Sequence, residues 1–88
     1  MKSKQIKRIT RYETLMNKAE LLIKKYSKDD ADELCEIIKE LESYYLSDEW
    51  KQDFSDDEAG LLPPDLKRGV LSEDGIYNLI ETYRELRD

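Results

Sequence analysis

The side chains best suited to chemistry are concentrated between residues 44 and 77. Tyr44, Tyr45, Trp50 and Phe54 are large aromatics, Asp53, Asp56, Asp57 and Glu58 form an acidic cluster, and Lys67-Arg68-Gly69 is a basic island in acidic surroundings. Three readings compete for this stretch. A calcium loop needs oxygen ligands at alternate positions and a glycine at the sixth. Counted from Asp53, the sixth residue is Glu58 and the twelfth is Pro64, so the pattern fails. A pair of carboxylates acting as acid and base, drawn from Asp53, Asp57 and Glu73, needs a substrate cleft between its members. With 21 acids among 88 residues, acids close in sequence carry little information, and so short a chain has little room for a useful pocket.

The third reading is structural and needs the fewest assumptions. Trp50, Phe54 and the tyrosines cover one end of a core, and Arg68 pairs with the Asp53–Glu58 cluster or with Glu73 and Asp74. Gly69 then serves a backbone angle or a close approach. Its functional extension is an interaction surface, since Trp, Tyr and Arg are enriched at binding hot spots. The residues of that candidate surface are Tyr44, Tyr45, Trp50, Asp53, Asp57, Lys67, Arg68, Glu73, Asp74 and Tyr77.

The chain contains no histidine. That removes the usual general acid–base residue, the Ser–His and Cys–His pairs and most zinc sites. Cys35 is the only cysteine, so no internal disulfide forms, and a reducing, intracellular compartment is the simplest expectation. No catalytic residue, metal or cofactor is expected.

These residues must be positioned by helices. Ile9, Met16 and Ile23 lie seven apart, as do Tyr12, Ala19 and Tyr26, and the interleaved sets draw an apolar seam along residues 3 to 26. Leu15 and Leu22 widen it. A polar stretch from Ser27 to Glu33 follows, in which Ser27 or Asp29 is a candidate helix cap. Leu34, Ile37, Ile38, Leu41, Tyr44 and Tyr45 then form a second stripe, with Cys35 a small core residue beside it. The pattern predicts a helical hairpin turning near residues 27 to 29, with one continuous helix over about 4 to 46 as the rival. Ser47 caps a short helix carrying Trp50 and Phe54, Gly60 ends it, and Pro63-Pro64 keeps residues 60 to 71 as a loop. Ser72 opens a last helix with Glu73 and Asp74 in its first turn and Ile76, Leu79, Ile80, Tyr83 and Leu86 on its buried face. The expected fold is therefore all-α: one domain over residues 1–88, a small bundle of three or four helices.

Charge is segregated along this framework. Residues 1 to 28 carry nine basic and two acidic side chains, whereas residues 29 to 60 carry two basic and thirteen acidic, and the whole chain is at −6. Antiparallel packing of the first two helices would set opposite charges side by side. The alternative use of the basic helix is contact with nucleic acid or an acidic partner. The features of common nucleic-acid modules are missing, so nucleic acid is not the expected partner. No apolar run is long enough to span a membrane, and the basic start, Met1 to Ile6, has no apolar segment behind it and reads as no secretory signal.

The residues Tyr44-Tyr45, Trp50, Asp53, Leu62-Pro63 and the run from Asp65 to Asp74, followed by Tyr77, have a further meaning. In them the chain resembles a family of short bacterial proteins catalogued only as a domain of unknown function. The resemblance covers nearly the whole chain, and its distinctive part is Leu66 to Asp74. It implies an all-helical, cytoplasmic protein of bacterial or phage origin and transfers no activity. Gly75 departs from expectation, since a better helix former belongs in the first turn of a helix.

The expected function is that of a non-enzymatic protein-interaction module. Self-association into a homodimer follows from the heptad seam and the thin core of so short a chain. Two alternatives come from other classes. One is an acidic mimic of nucleic acid that blocks a DNA- or RNA-binding protein, motivated by the charge of residues 29 to 60. The other is a small carboxylate enzyme, which requires two of Asp53, Asp57 and Glu73 to share a pocket near Tyr44 or Trp50.

Overall fold

A computed structural model describes residues 2–25, 28–72 and 74–87. They form four helices and no strand among the described residues: α1 (Lys2–Lys25), α2 (Ala31–Tyr45), α3 (Asp48–Glu58) and α4 (Gly75–Arg87). Short 3-10 turns at Lys28–Asp30 and Gly69–Leu71 precede α2 and α4. The molecule measures 40 × 17 × 17 Å. A helix of α1's length rises about 36 Å, so α1 spans almost the full long axis.

The first two helices form a hairpin rather than a rod. Lys18 pairs with Glu33 at 2.6 Å and Arg11 with Glu40 at 3.3 Å. Further along, Tyr12 stacks on Tyr44 with ring centroids 4.0 Å apart and planes within 2°. These pairs set α1 and α2 antiparallel, with the basic helix beside the acidic one. Tyr26 and Ser27 lie outside the described residues. Asp30, not Asp29, occupies the N-cap position of α2, and it makes no capping side-chain hydrogen bond. The 3-10 turn leads straight into the helix there, while Asp32 and Glu33 in the first turn suit the positive end of its dipole.

The core is built from α1, α2, α4 and the loop before α4. Ile9 and Ala19 come from α1, and Leu34, Ile37, Ile38, Leu41 and Tyr44 from α2. Leu62, Val70 and Leu71 come from the loop, and Ile76, Leu79, Ile80 and Tyr83 from α4. Tyr12, Leu15, Met16, Leu22, Ile23 and Cys35 are half-buried against it. Ile9 and Ala19 of the α1 seam are thus fully buried inside the molecule, and Tyr12, Met16 and Ile23 pack against the core. Leu86 is a correction: expected in the core, it is 37% exposed. Spacing fixes the angle at which a side chain leaves a helix, not whether another element lies opposite.

Local chemistry sets the boundaries. Ser47 caps α3, its Oγ accepting from the Trp50 N–H at 3.1 Å. Gly60 closes α3 at φ 73°: its N–H reaches Asp57 O and the Leu61 N–H reaches Asp56 O, the paired bonds of a Schellman ending. Such endings usually add an apolar contact between the two flanking side chains, but here the helix side supplies Asp56. Leu61 stays 54% exposed. Ser72 Oγ accepts from the Gly75 N–H at 2.9 Å and caps α4. Gly75 itself is explained by crowding. A Cβ there would stand 2.8 Å from the Gly69 carbonyl oxygen, 2.6 Å from Ser72 Oγ and 3.1 Å from Met16 Cε. Close approach outweighs helix propensity.

Candidate functional site

α3 brings no fully buried apolar side chain; its one buried residue is Asp53, at 0% exposure. The helix is instead held by a polar lock. Arg8 donates from Nε at 2.9 Å to Asp53 Oδ2 and from Nη2 at 2.6 Å to Oδ1. The Tyr44 hydroxyl donates to Oδ2 at 2.5 Å, and Gln5 Nε2 donates to Oδ1 at 3.0 Å. Gln5 also reaches Asp56 at 2.7 Å, and Arg8 touches Glu49 at 3.4 Å. Burial alone pushes the Asp53 carboxyl up, but the bonds from Arg8, Tyr44 and Gln5 more than offset it and hold the group below the usual carboxylate range. Tyr44 is driven the other way, first by burial and then by its bond to Asp53, so its phenol stays protonated. The hydrogen bond to Asp53 raises Arg8, which stays charged. A carboxylate so fully engaged has no free lone pair for a substrate proton.

Tyr44 and Asp53 therefore leave the candidate interaction surface. Both were expected there, and both are interior because each satisfies the other. Asp57 and Arg68 form a second clasp. Arg68 Nη1 donates to Asp57 Oδ1 and Nη2 to the Pro63 carbonyl, both at 2.6 Å, while Nε reaches Leu66 O at 3.3 Å. The guanidinium thereby ties the end of α3 to both halves of the Pro63–Leu66 turn, itself closed by Leu66 N–H to Pro63 O at 3.2 Å. Glu13 completes the anchoring, accepting the Val70 N–H at 2.8 Å. Of the partners proposed for Arg68, it meets the acidic cluster, through Asp57.

What remains on the surface is narrower. Tyr45 and Trp50 are half-buried, with rings edge-to-face at 4.8 Å. Phe54 is also half-buried and stacks on Trp50 at 5.1 Å. Trp50 Nε1 donates to the Val70 carbonyl at 3.1 Å, so the indole braces α3 against the loop and still shows one side to solvent. Leu46, between α2 and α3, is 71% exposed. Lys67, Asp74 and Tyr77 are exposed as expected, and Glu73 lies outside the described residues.

Of the three acids of the carboxylate-enzyme reading, Glu73 lies outside the described residues, and Asp53 and Asp57 do not share a site. Asp53 and Asp57 are committed to different arginines. An open groove of about 420 Å³ between α1 and the loop is lined by Ile6, Thr10, Glu13, Pro63, Leu66 and Lys67 among others. A smaller one of about 200 Å³ lies between α2 and α4 beside Cys35 and Tyr83. Neither contains Asp53 or Asp57. No group of three or more acidic or cysteine side chains among the described residues is placed to hold a metal. No buried side-chain polar atom among them lacks a hydrogen-bond partner.

Three residues central to this site escape sequence reasoning: Gln5, Arg8 and Glu13. A signal does exist. Gln5 continues the Tyr12–Ala19–Tyr26 series by one heptad, and a polar residue at a seam position implies a buried polar partner. Arg8 and Glu13 flank the seam, where interhelical ion pairs form.

The sequence profile of a family described as Domain of unknown function (DUF4298) matches residues 4–88. No curated protein and no solved structure matches the chain.

Proposed function

The chain belongs to the DUF4298 family, and on its own geometry we propose that it works as a non-catalytic protein-interaction module. The observation that carries this reading is the corner between α2 and α3. There Tyr45, Trp50 and Phe54 form a run of ring contacts beside Leu46, which is 71% exposed. Large aromatics that are rigidly held yet partly open to water provide contact area at low entropic cost, the character of a binding hot spot. The two clasps support the same view, since they fix α3 and the loop without leaving a reactive group poised.

The nucleic-acid mimic has less support. Glu33, Glu40 and Asp53 face cations of α1, so part of the acidic segment is neutralised internally. A photo-crosslinking residue at position 46, compared with one at exposed Thr82, tests the proposal in cells of the organism that encodes the chain. The expected result is a discrete protein adduct from position 46 and none from position 82. Equal, diffuse labelling from both positions would remove the proposal.

A further inference from the structure

We infer that α3 is a hinged flap, which swings off the rest of the fold as one unit while the core beneath it stays closed; the inference is independent of the interaction reading above. Three observations carry it. Between the buried Tyr44 and Leu62, Asp53 is the single buried residue. The buried apolar side chains among the described residues come from α1, α2, α4 and the loop before α4, and none from α3. The joints that hold α3 down are polar side-chain bonds: Asp53 to Arg8, Gln5 and Tyr44, Trp50 Nε1 to the Val70 carbonyl, and Asp57 to Arg68. Apolar contact adds the half-buried Trp50, set against Tyr45 and the core.

No buried side chain has to move at either end of the helix. Leu46 is exposed on one side, and Ala59, Gly60 and Leu61 are exposed on the other. The bonds that end α3 run from the N–H groups of Ala59, Gly60 and Leu61 to Ser55, Asp57 and Asp56 of the helix itself, so they travel with it. Element-terminal residues of this kind are where hinges absorb their rotation. Opening gives the released groups to water. Arg8, Asp53 and Tyr44 lose one another together, so each bond is exchanged for a bond to water at small net cost. An apolar side chain drawn out of the core has no such compensation. α3 therefore opens at lower cost than α2 or α4, which carry buried apolar side chains.

Native-state hydrogen exchange of the full chain, followed at a series of low urea concentrations where reclosing outpaces exchange, reads this directly. The amides of residues 52–58 should exchange as a group, about tenfold or more less protected than the slowest amides of α2 and α4. Their urea dependence should be shallower, because undocking one helix exposes less surface than unfolding the chain. Asp53→Asn weakens the joint and should speed these amides about a hundredfold. Trp50→Phe, the milder variant, should speed them about fivefold and carries the same test where Asp53→Asn does not fold. Ile80→Val thins the core between α2 and α4 and should speed the slowest amides there several-fold while leaving residues 52–58 unchanged.

Equal protection and equal urea dependence in α2, α3 and α4 overturn the inference, since the chain would then open only as a whole. An Ile80→Val variant that speeds α3 as much as α4 overturns it for the same reason. Rates in α3 that neither Asp53→Asn nor Trp50→Phe alters overturn it too, because exchange would then come from fraying of a helix that stays docked.

Discussion

Asp53→Asn is the most incisive perturbation of this fold. The carboxylate is fully buried and accepts four hydrogen bonds, two of them from Arg8. Asparagine keeps the shape, loses the charge and turns an NH2 group towards donors. Removing one partner of a buried ion pair costs about 3–5 kcal/mol, because the other charge is left without compensation. Arg8 is 24% exposed, so water relieves part of the penalty and about 3 kcal/mol is the better figure. A chain of this length is stable by roughly 4–13 kcal/mol in all. The loss should lower the melting temperature by about 12–24 °C.

The pH dependence gives a second reading. The Asp53 carboxyl is held below its ordinary value, so its contribution is complete above about pH 4 and is lost as pH falls through the lowered value. In Arg8→Met the carboxyl loses the largest of the bonds that lower it, so it titrates higher than in the parent chain. That variant should be most destabilised near pH 7, and the gap to the parent chain should narrow towards about pH 4 as the carboxyl protonates. Urea melts at the two pH values measure this. Asp53→Asn within about 0.5 kcal/mol of the parent chain, or a gap for Arg8→Met that widens on acidification, would refute the reasoning.

Three further changes test the remaining joints. Gly75→Ala, a stabilising exchange of about 1 kcal/mol in an ordinary helix, should instead destabilise by about 1–3 kcal/mol, because the new methyl meets the Gly69 carbonyl at 2.8 Å; thermal melts decide the sign. Trp50→Phe keeps the ring contacts but loses the bond to Val70 O, for about 1 kcal/mol in a chemical melt, and a cost near zero would show that the indole does not brace the loop. Arg68→Lys cannot reach Asp57, Pro63 and Leu66 together, so about 1–2 kcal/mol should be lost and amides between Leu66 and Leu71 should exchange faster with deuterium.

The fold is legible wherever its cause is local. The three-and-four spacing of Leu34 to Tyr44 and of Ile76 to Tyr83 names their buried faces, because a helix repeats its geometry regardless of context. Ser47, Gly60 and Ser72 mark helix ends through bonds to residues three or four away. The polar lock is not legible, because Arg8 and Asp53 are 45 residues apart and both look like ordinary members of charged segments. Gly75 misleads for a related reason: what it avoids is a carbonyl six residues back and a methionine on another helix. Leu46 gives no signal because it sits between two helices, where no periodicity applies.

The distribution of charge links these points. Along α1, Arg8, Arg11 and Lys18 find Asp53, Glu40 and Glu33 on the helices packed against it. Three of the nine cations of residues 1 to 28 thus serve as counter-charges for the helices packed against α1. The acids of α3 are matched in part. Glu49, Asp53, Asp56 and Asp57 meet Arg8, Gln5 or Arg68, while Asp48 and Glu58 are exposed.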